Sequence, residues 1–339
     1  MRNLGNISAP GVTLGGNLPK SSFLTDSAIA SGRAALISEL EKRDPLLREP
    51  LTSVTWPRDI PVATGGGWVD TLSTMYVNYG VSEGSGQGVI AAPGANNSKV
   101  IQANLSNERW GAHTFDTTMR IGYIDLQRAN ITGRSLEQQY QEGIRLTYDK
   151  HLDQNVYEGF PIIGTYGLMN NPNVTARTAA LGAGGATDWN SKTADEILAD
   201  VNAAIIAVWA QGEHDLAAIP NHILLPYKQY NLIATTKVSL AADKTILTFI
   251  LDNNIAKQYG VDLFIGATNW NAGAGTGGTD RMLCYVNKDR FLLVEELVSL
   301  HRAMTESNVQ THTYDSLFLA HVSEVEFFYL ETIGYIDGI

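Results

Sequence analysis

An apolar residue at every fourth position constrains the fold of this chain more than any other feature of its sequence. The repeat begins after Ser135 and continues for about 20 residues, with mostly charged and polar side chains between its members. An α-helix has 3.6 residues per turn, so a four-residue repeat drifts slowly across one side of the helix. We therefore predict a long, mostly polar helix that covers a sheet with one side and exposes the rest. The members of the repeat are Leu136, Tyr140, Ile144, Tyr148, Leu152 and Val156.

A long excursion with few apolar residues precedes this helix. Met75, Val77 and Tyr79 occupy alternate positions, which is typical of a strand. The nine residues that follow, GVSEGSGQG, contain four glycines and indicate turns, and WGAHTFDTTMRIGYI predicts a second strand. The excursion has too few apolar residues to bury itself, and ordering its backbone costs about 1–2 kcal/mol per residue. We expect neighbouring molecules to order it.

The second half of the chain has the pattern of a compact α/β unit. Thr193 and Glu196 have the spacing of a capping box, and an amphipathic helix is predicted after them to about Gln211. We predict strands in NHILLP, VDLFIGA, RMLCYV and FLLVEEL, a short helix from Pro226, and one helix through KTILTFILDNNIAKQY that Gly260 ends. The last residues, EVEFFYLETIGYIDGI, are typical of a strand that closes a sheet. The predicted fold class is α+β.

The stretch GAGTGG at 273–278 matches the G-x-G-x-x-G fingerprint of a dinucleotide-binding loop. That loop needs a strand directly before it, a helix starting on it, and an acidic residue about 20 positions later. Here five residues separate Gly273 from the preceding predicted strand, and alternating Met282, Cys284 and Val286 predict a strand after it. We therefore expect a long, mobile connection between two strands and no nucleotide cofactor.

Other chemistry is not indicated by the residues. His214 and His312 lack metal-ligand spacing, and no H-E-x-x-H, G-x-S-x-G or phosphate-binding P-loop motif occurs. The single cysteine, Cys284, excludes an internal disulfide and is typical of a reducing cytoplasm. No run approaches the roughly 20 apolar residues that cross a bilayer, and the first residues lack the apolar core of a signal peptide. We predict no catalytic residues, no cofactor, no metal and no membrane contact.

Charge also limits the partners. The net charge is −11, without any basic run, which argues against a dedicated nucleic-acid-binding surface. Charged residues make up 17% of the chain, below the roughly 25% of ordinary globular proteins. Since charged residues are depleted at the centres of interfaces, extensive subunit contact is one explanation. An ordinary acidic enzyme is another, and composition does not separate the two.

Six stretches spread over nearly the whole chain carry a resemblance to a known family. They are LTSVTWPRDIPVATGGGWVD, TYGLMNNPNV, DWNSKTADEILADVNAAI, ILLPYKQYNLIA, GGTDRMLCYVNKD and the terminal IGYIDGI. Together with the order of parts above, they resemble the major capsid protein of tailed bacteriophages, whose fold is shared with encapsulin nanocompartments.

The resemblance implies a phage major capsid protein fold with a definite division of the chain. The Gly-rich stretch 268–279 would lie where subunits meet at a symmetric contact, and its glycines would provide flexibility there. The expected parts are an N-terminal arm at 1–50, an extended loop at 68–110, a peripheral domain at 51–67 and 111–189 with a spine helix at 135–158, an axial domain at 190–325, and a closing C-terminal strand at 326–339.

The function that the resemblance implies is that of a self-assembling shell subunit. Pentamers and hexamers of the chain would form an icosahedral virion shell in the host bacterial cytoplasm, with scaffold, portal and decoration proteins as further partners. The shell would enclose double-stranded DNA without sequence-specific binding. Two alternatives stay open: an encapsulin-like compartment that houses an enzyme, and a soluble α/β nucleotide-binding enzyme that uses the Gly-rich loop.

Six residues are candidates for contacts between subunits. Tryptophan and tyrosine are enriched at interface hot spots, although several of these aromatic residues could equally pack inside their own subunit. Arg58 stands beside Asp59, and this pair is either local or intersubunit. Some members of this fold join neighbours by a Lys–Asn bond; Lys99 stands near two asparagines, but the few lysines argue against such a bond here. The candidates are Trp56, Arg58, Trp68, Tyr79, Trp110 and Arg281.

Overall fold

The computed structural model describes residues 53–81, 101–132, 135–160, 163–239 and 243–339. The predicted N-terminal arm, the glycine-rich tip of the excursion and Lys99 lie outside the described residues. The helices are α1 (Trp56–Asp59), α2 (Tyr123–Thr132), α3 (Leu136–Tyr157), α4 (Ala194–Gln211), α5 (Tyr227–Thr235), α6 (Ile246–Asn253) and α7 (Ile255–Gln258). The strands are β1 (Val62–Thr64), β2 (Thr71–Val81), β3 (Ile101–Gly122), β4 (Ala176–Thr178), β5 (His222–Pro226), β6 (Phe264–Thr268), β7 (Arg281–Tyr285), β8 (Leu292–Asn308), β9 (Thr313–Ser323), β10 (Glu326–Phe327) and β11 (Ile333–Asp337).

The long strand β3 belongs to two pairings in succession. Its first half pairs antiparallel with β2, ending at Thr71 opposite Gly111. Its second half pairs antiparallel with β9, beginning at Ala112 opposite Ser323. The two strands β2 and β3 therefore extend beyond the body of the sheet as a hairpin, which we call the outer hairpin (residues 71–81 and 101–110). The whole six-stranded sheet has the order β1-β8-β9-β3-β2, with β10 paired to β8.

The second sheet has five strands in the order β4-β11-β7-β5-β6, and it carries a core on each face. Side chains alternate across a strand, so β7 contributes to both cores. Met282 and Cys284 pack with helices α4 and α6, whereas Leu283 and Tyr285 pack with the end of α3 and with the inner ends of β8 and β9. The strand predicted from the alternation at Met282 and Cys284 is confirmed, and Cys284 is buried within it.

Helix α3 confirms the prediction from the four-residue repeat. The Ser135 side chain accepts a hydrogen bond from the Gln138 amide and caps the helix. Leu152 and Val156 are buried in the core between the two sheets, while Tyr140 near the start stays exposed. The drift of the repeat thus buries its members in the second half of the helix, whereas Leu136 and Ile144 in the first half are partly buried against Met119, Ile121 and Phe318.

The capping box of Thr193 and Glu196 begins α4 as predicted. The single helix predicted for residues 244–259 is wrong, because the structure divides it into α6 and α7 at Asn254. Asn254 has an extended backbone, and its buried side chain accepts from the Lys257 amide while donating to the Ile250 carbonyl oxygen. The Asn254 side chain thus provides a hydrogen-bond donor for a carbonyl oxygen at the end of α6 and an acceptor for an amide at the start of α7. Such a side chain favours a break between two helices at this point.

The strand predicted in FLLVEEL is longer in the structure, and its partner was not predicted. Strand β8 continues to Asn308, and β9 returns from Thr313 to complete a second long hairpin. All residues from 301 to 312 are exposed. The sequence shows little apolar alternation there, because neither face of this part of the hairpin meets a core.

The pairing of strands does not follow the predicted domain boundaries. Residues 292–323, expected in an axial domain, pair with β1 and β3 in the six-stranded sheet. The strand predicted at the end of the chain is β11, and it lies inside the five-stranded sheet between β4 and β7. Each sheet therefore collects strands from distant parts of the chain.

Candidate intersubunit surfaces

One face of the outer hairpin carries large apolar side chains that belong to no buried cluster of the described residues. Met75, Val77 and Tyr79 alternate on β2, and Leu105 lies directly opposite Val77. Their exposed fractions run from 46% to 73%. Opposed apolar side chains stabilise a sheet mainly when something covers them, and contiguous exposed apolar patches mark interaction sites. We call these four residues the apolar face.

The base of the outer hairpin is fastened to the body. The Tyr76 hydroxyl donates to the Phe328 carbonyl oxygen at 3.0 Å, and its ring meets Tyr329 edge-on. Trp110 packs edge-on against the Phe328 ring, with the centroids 5.3 Å apart. Burial raises the pKa of the Tyr76 hydroxyl, and the nearby Glu108 carboxylate raises it further. We call Phe328 and Tyr329 the shoulder.

Trp68 is held outward on a loop that three glycines shape. Gly65–Gly67 have φ of 116°, 115° and 76°, a region that favours glycine. Buried His321 anchors the loop, since its Nε2 donates to the Val69 carbonyl oxygen at 2.8 Å and its Nδ1 accepts from the Thr114 hydroxyl at 3.0 Å. The Trp68 ring lies against the His321 ring and is still 55% exposed. A rigid, exposed tryptophan is suited to contact a partner.

The Arg58–Asp59 pair is local. Arg58 Nε lies 2.6 Å from Asp59 Oδ1 and Arg58 Nη2 lies 2.8 Å from Asp59 Oδ2. The same guanidinium donates to the Ala267 carbonyl oxygen, and the Tyr157 hydroxyl donates to buried Asp59. The hydrogen bond to Asp59 raises the pKa of Arg58. The alternative that the sequence left open is therefore decided in favour of a pair within one subunit.

Trp56 marks a junction between α1 and the rest of the protein. Asp153 Oδ1 accepts from the backbone amides of Thr55 and Trp56 at 2.9 and 3.1 Å, and its Oδ2 accepts from Trp270 Nε1 at 2.7 Å. The Trp56 indole is partly buried against the core between the sheets and lines a groove of about 480 Å³ between α3 and β8. Its ring serves mainly to pack its own subunit.

Arg281 is enclosed by its own subunit. Its Nε and Nη2 donate to the two carboxylate oxygens of Asp337 at 2.7 and 2.9 Å, and its Nη1 donates to the Met169 carbonyl oxygen. The guanidinium also lies 4.1 Å from the centre of the Tyr335 ring. Burial alone would raise the pKa of Asp337, but the hydrogen bonds from Arg281 and Thr276 lower it.

The Gly-rich loop before Arg281 is tied down by hydrogen bonds. The Thr276 amide donates to Asp337, the Gly273 amide to Asp280, and the Gly275 amide to the Thr279 carbonyl oxygen. These amides are therefore not free to hold a pyrophosphate. The strands on both sides confirm the sequence-based interpretation, whereas the expected freely mobile loop is corrected to a tethered one.

The six predicted contact residues thus fall into different environments. Trp68 and Tyr79 are exposed, and they stay proposed contacts. Trp110 and Arg281 are 6% and 7% exposed with partners inside the subunit, so we do not propose them further. Sequence reasoning missed Leu105 because the polar residues around it hide the register that places it beside Val77.

Within the described ranges, no three histidine, cysteine, aspartate or glutamate side chains are grouped as metal ligands would be. None of the helices found there combines the length and apolar character needed to cross a membrane.

Comparison with known proteins identifies similar capsid proteins. A family model described as "Major capsid protein" matches residues 86–339. The capsid of Myoviridae phage XM1 has a TM-score of 0.73 at 16% identity over 89% of this chain and 98% of that chain. The capsid of a native GTA particle has 0.60 at 12% identity, over 93% and 99%. A protein of Microbacterium phage Oxtober96 has 0.58 at 11% identity, over 90% and 98%.

These identities are low, so the structural likeness shows the fold alone. No curated protein sequence matches the chain.

Proposed function

Because this chain belongs to the major capsid protein family, we propose that it assembles into the icosahedral head shell of a tailed bacteriophage and encloses its double-stranded DNA. The observation that carries the proposal is the family match over residues 86–339, joined to a fold that covers nearly the full length of a phage capsid chain. Symmetric contacts between identical chains form rings, and rings joined by further contacts form shells.

The outer hairpin is the proposed bridge between neighbours. Its apolar face has no cover among the described residues, and burying a large apolar side chain contributes about 1.5–3 kcal/mol. Tyr79 and Leu105 would supply this energy when the hairpin lies over an adjacent subunit. The exposed Trp68 would provide a second contact. We propose pentamers and hexamers as the building units.

We propose domain boundaries that follow the sheets. The peripheral domain would consist of the six-stranded sheet with spine helix α3, and the axial domain of the five-stranded sheet with α4 to α7. The tethered Gly-rich loop would then belong to the axial domain and contact its symmetry mates at the centre of a capsomer.

The role that we propose is structural, without catalysis. Acidic subunits do not bind DNA phosphates through counterion release, which suits a container from which DNA must leave. Scaffold, portal and decoration proteins are proposed partners, with assembly in the host bacterial cytoplasm. No observation favours the encapsulin alternative, and the engaged amides of the Gly-rich loop argue against the nucleotide-binding enzyme.

Light scattering with negative-stain microscopy on the purified protein tests the proposal. We expect closed particles or capsomer rings, either from the protein alone or after adding the proteins encoded beside it. A chain that stays monomeric under every salt condition and with every such protein would contradict the proposed function. DNA within purified native particles, rather than an enzyme, would support the genome over the cargo alternative.

A further inference from the structure

A carboxyl group is buried without an ionic partner directly beside the shoulder. Glu326 on β10 is only 2% exposed, and its Oε1 has no hydrogen-bond partner. Among the described lysines and arginines, none forms an ion pair with it. Burying an ionised carboxylate without a partner is costly, because the protein does not replace the hydration that the charge loses.

The groups that face Glu326 are mainly acidic. Glu326 lies opposite Leu293 in the antiparallel pairing with β8, so Glu295, two residues further on, is its diagonal neighbour on the same face. The charge of Glu324, two residues earlier in the chain, also acts on Glu326. Two further groups lie near Glu326: Tyr76 of the outer hairpin and the hydroxyl of Ser323.

The Glu324 carboxylate accepts a hydrogen bond from the amide of Gly111, which lies on β3. The His113 ring, on the same strand, lies close to that glycine. The hydrogen bond from Gly111 holds the Glu324 carboxylate in its position. The surroundings of Glu326 contain two further carboxylates and no described cation that pairs with it.

These surroundings act together on the proton affinity of Glu326. Burial is the largest cause, the Glu295 charge comes next and Glu324 adds to it, so that the pKa rises to about 7; only the Ser323 hydroxyl acts in the opposite direction. An unperturbed glutamate has a pKa of about 4.3. The group therefore changes its charge near neutral pH.

The segment that follows Glu326 is the one that holds the outer hairpin. The Phe328 carbonyl oxygen accepts the Tyr76 hydrogen bond, the Phe328 ring meets Trp110 edge-on, and Tyr329 meets the Tyr76 ring. A charge that forces Glu326 away from its two acidic neighbours must displace β10, and with it the shoulder.

We propose that Glu326 is a proton-operated switch that controls how firmly the outer hairpin is attached to the body of its own subunit. The neutral carboxyl allows the shoulder to close on Tyr76 and Trp110. The ionised carboxylate, repelled by Glu295 and Glu324, loosens the shoulder and frees the hairpin to change its direction.

The direction of the effect follows from linkage. The pKa of Glu326 in the closed state is raised above its value in water, so its contribution to closure is complete below about pH 4 and is lost as the pH rises through about 7. With pKa values of about 4.3 open and about 7 closed, the opening equilibrium increases about tenfold from pH 6 to pH 8.

Native-state hydrogen exchange of the full-length, unassembled chain measures this equilibrium. After correction for the intrinsic pH dependence of amide exchange, protection in residues 71–81 and 101–110 should fall about tenfold between pH 6 and pH 8. The variant Glu326→Gln should keep the same protection at both pH values. The control Glu331→Gln removes an exposed carboxylate just beyond the shoulder and should retain the tenfold change.

A second variant keeps the test decisive if Glu326→Gln does not fold. Glu295→Gln removes the main repelling charge, so the midpoint of the transition should move to lower pH. The proposal is overturned if wild-type protection is equal at both pH values, if Glu326→Gln retains the pH dependence, or if Glu295→Gln leaves the midpoint in place. Because the measurement uses single subunits, its outcome is independent of whether the chain forms a shell.

Discussion

The Tyr76 hydroxyl donates to the Phe328 carbonyl oxygen at 3.0 Å and thereby joins two residues that are 252 positions apart in the chain. Tyr76 lies on the hairpin strand β2, whereas Phe328 follows β10 on the body. Among the described residues, the hairpin is also joined to the body through β3 and through the loop before β2, where His321 donates to the Val69 carbonyl oxygen. The Tyr76 contact, with the ring of Trp110 beside it, ties the hairpin to the segment after β10.

Replacing Tyr76 by phenylalanine should loosen the hairpin while leaving the rest of the subunit intact. The lost hydrogen bond contributes about 1 kcal/mol, so the opening equilibrium of the hairpin should rise about fivefold. Hydrogen exchange in residues 71–81 measures it. Tyr79→Phe, which removes an exposed hydroxyl two residues away, is the control and should change nothing; equal protection in Tyr76→Phe would contradict the role of the contact.

Polar substitution of the apolar face should block assembly without destabilising the subunit. In the double variant Tyr79→Ser/Leu105→Ser, the free energy of unfolding should stay within about 0.5 kcal/mol per site, because both side chains are exposed. Sedimentation velocity should show the loss of capsomers or shells. Ser106→Ala, on the other face of the same strand, should assemble normally, and unimpaired assembly of the double variant would argue against the hairpin as a bridge.

Removal of the Arg281 side chain should destabilise the subunit strongly. Arg281→Ala leaves Asp337 buried without its partner, which costs about 3–5 kcal/mol in denaturant unfolding. Arg128→Ala is the matched control: it breaks an exposed pair with Asp125 and should cost less than about 1 kcal/mol. The pKa of Asp337 is lowered, so the stabilisation from this pair should be present above about pH 4 and lost as the solution becomes more acidic. A loss below 1 kcal/mol in Arg281→Ala would show that the pair is dispensable.

The thiol of Cys284 should be unreactive in the folded protein. The residue is fully buried in β7, and burial raises the pKa of the thiol, so little thiolate is available. A maleimide reagent at pH 7 should label less than a few per cent of the native chain within an hour, and all of it in denaturant. Rapid labelling under native conditions would mean that the five-stranded sheet opens readily.

Moderate salt should favour assembly. Each chain carries a net charge of −11, so neighbouring subunits repel one another. Ions screen this repulsion over roughly 8 Å at physiological ionic strength. Light scattering should increase from low to moderate salt or on adding a divalent cation, and a steady decrease over that range would indicate that attractive ion pairs dominate the interface.

The local pattern of the sequence was sufficient for elements whose ends and faces depend on near neighbours. The repeat from Leu136 to Val156 predicted α3, and Thr193 with Glu196 predicted the start of α4, because capping and helix periodicity act within four residues. The alternation at Met282 and Cys284 likewise predicted β7 and excluded a nucleotide loop. The break at Asn254 was missed because it depends on a side chain that serves two helices at once.

Among the candidate contacts, the sequence alone determined residue type, and the tertiary structure decided exposure. Tyr79 and Trp110 are both aromatic residues in predicted strands of one excursion, yet Tyr79 faces solvent and Trp110 packs on Phe328. Arg281 and Arg58 likewise found their carboxylate partners inside the subunit, Asp337 being 56 positions away and Asp59 adjacent. Burial depends on which distant segments meet, and local spacing carries no information about such long-range pairing, whereas helix periodicity and capping are properties of the nearest few residues.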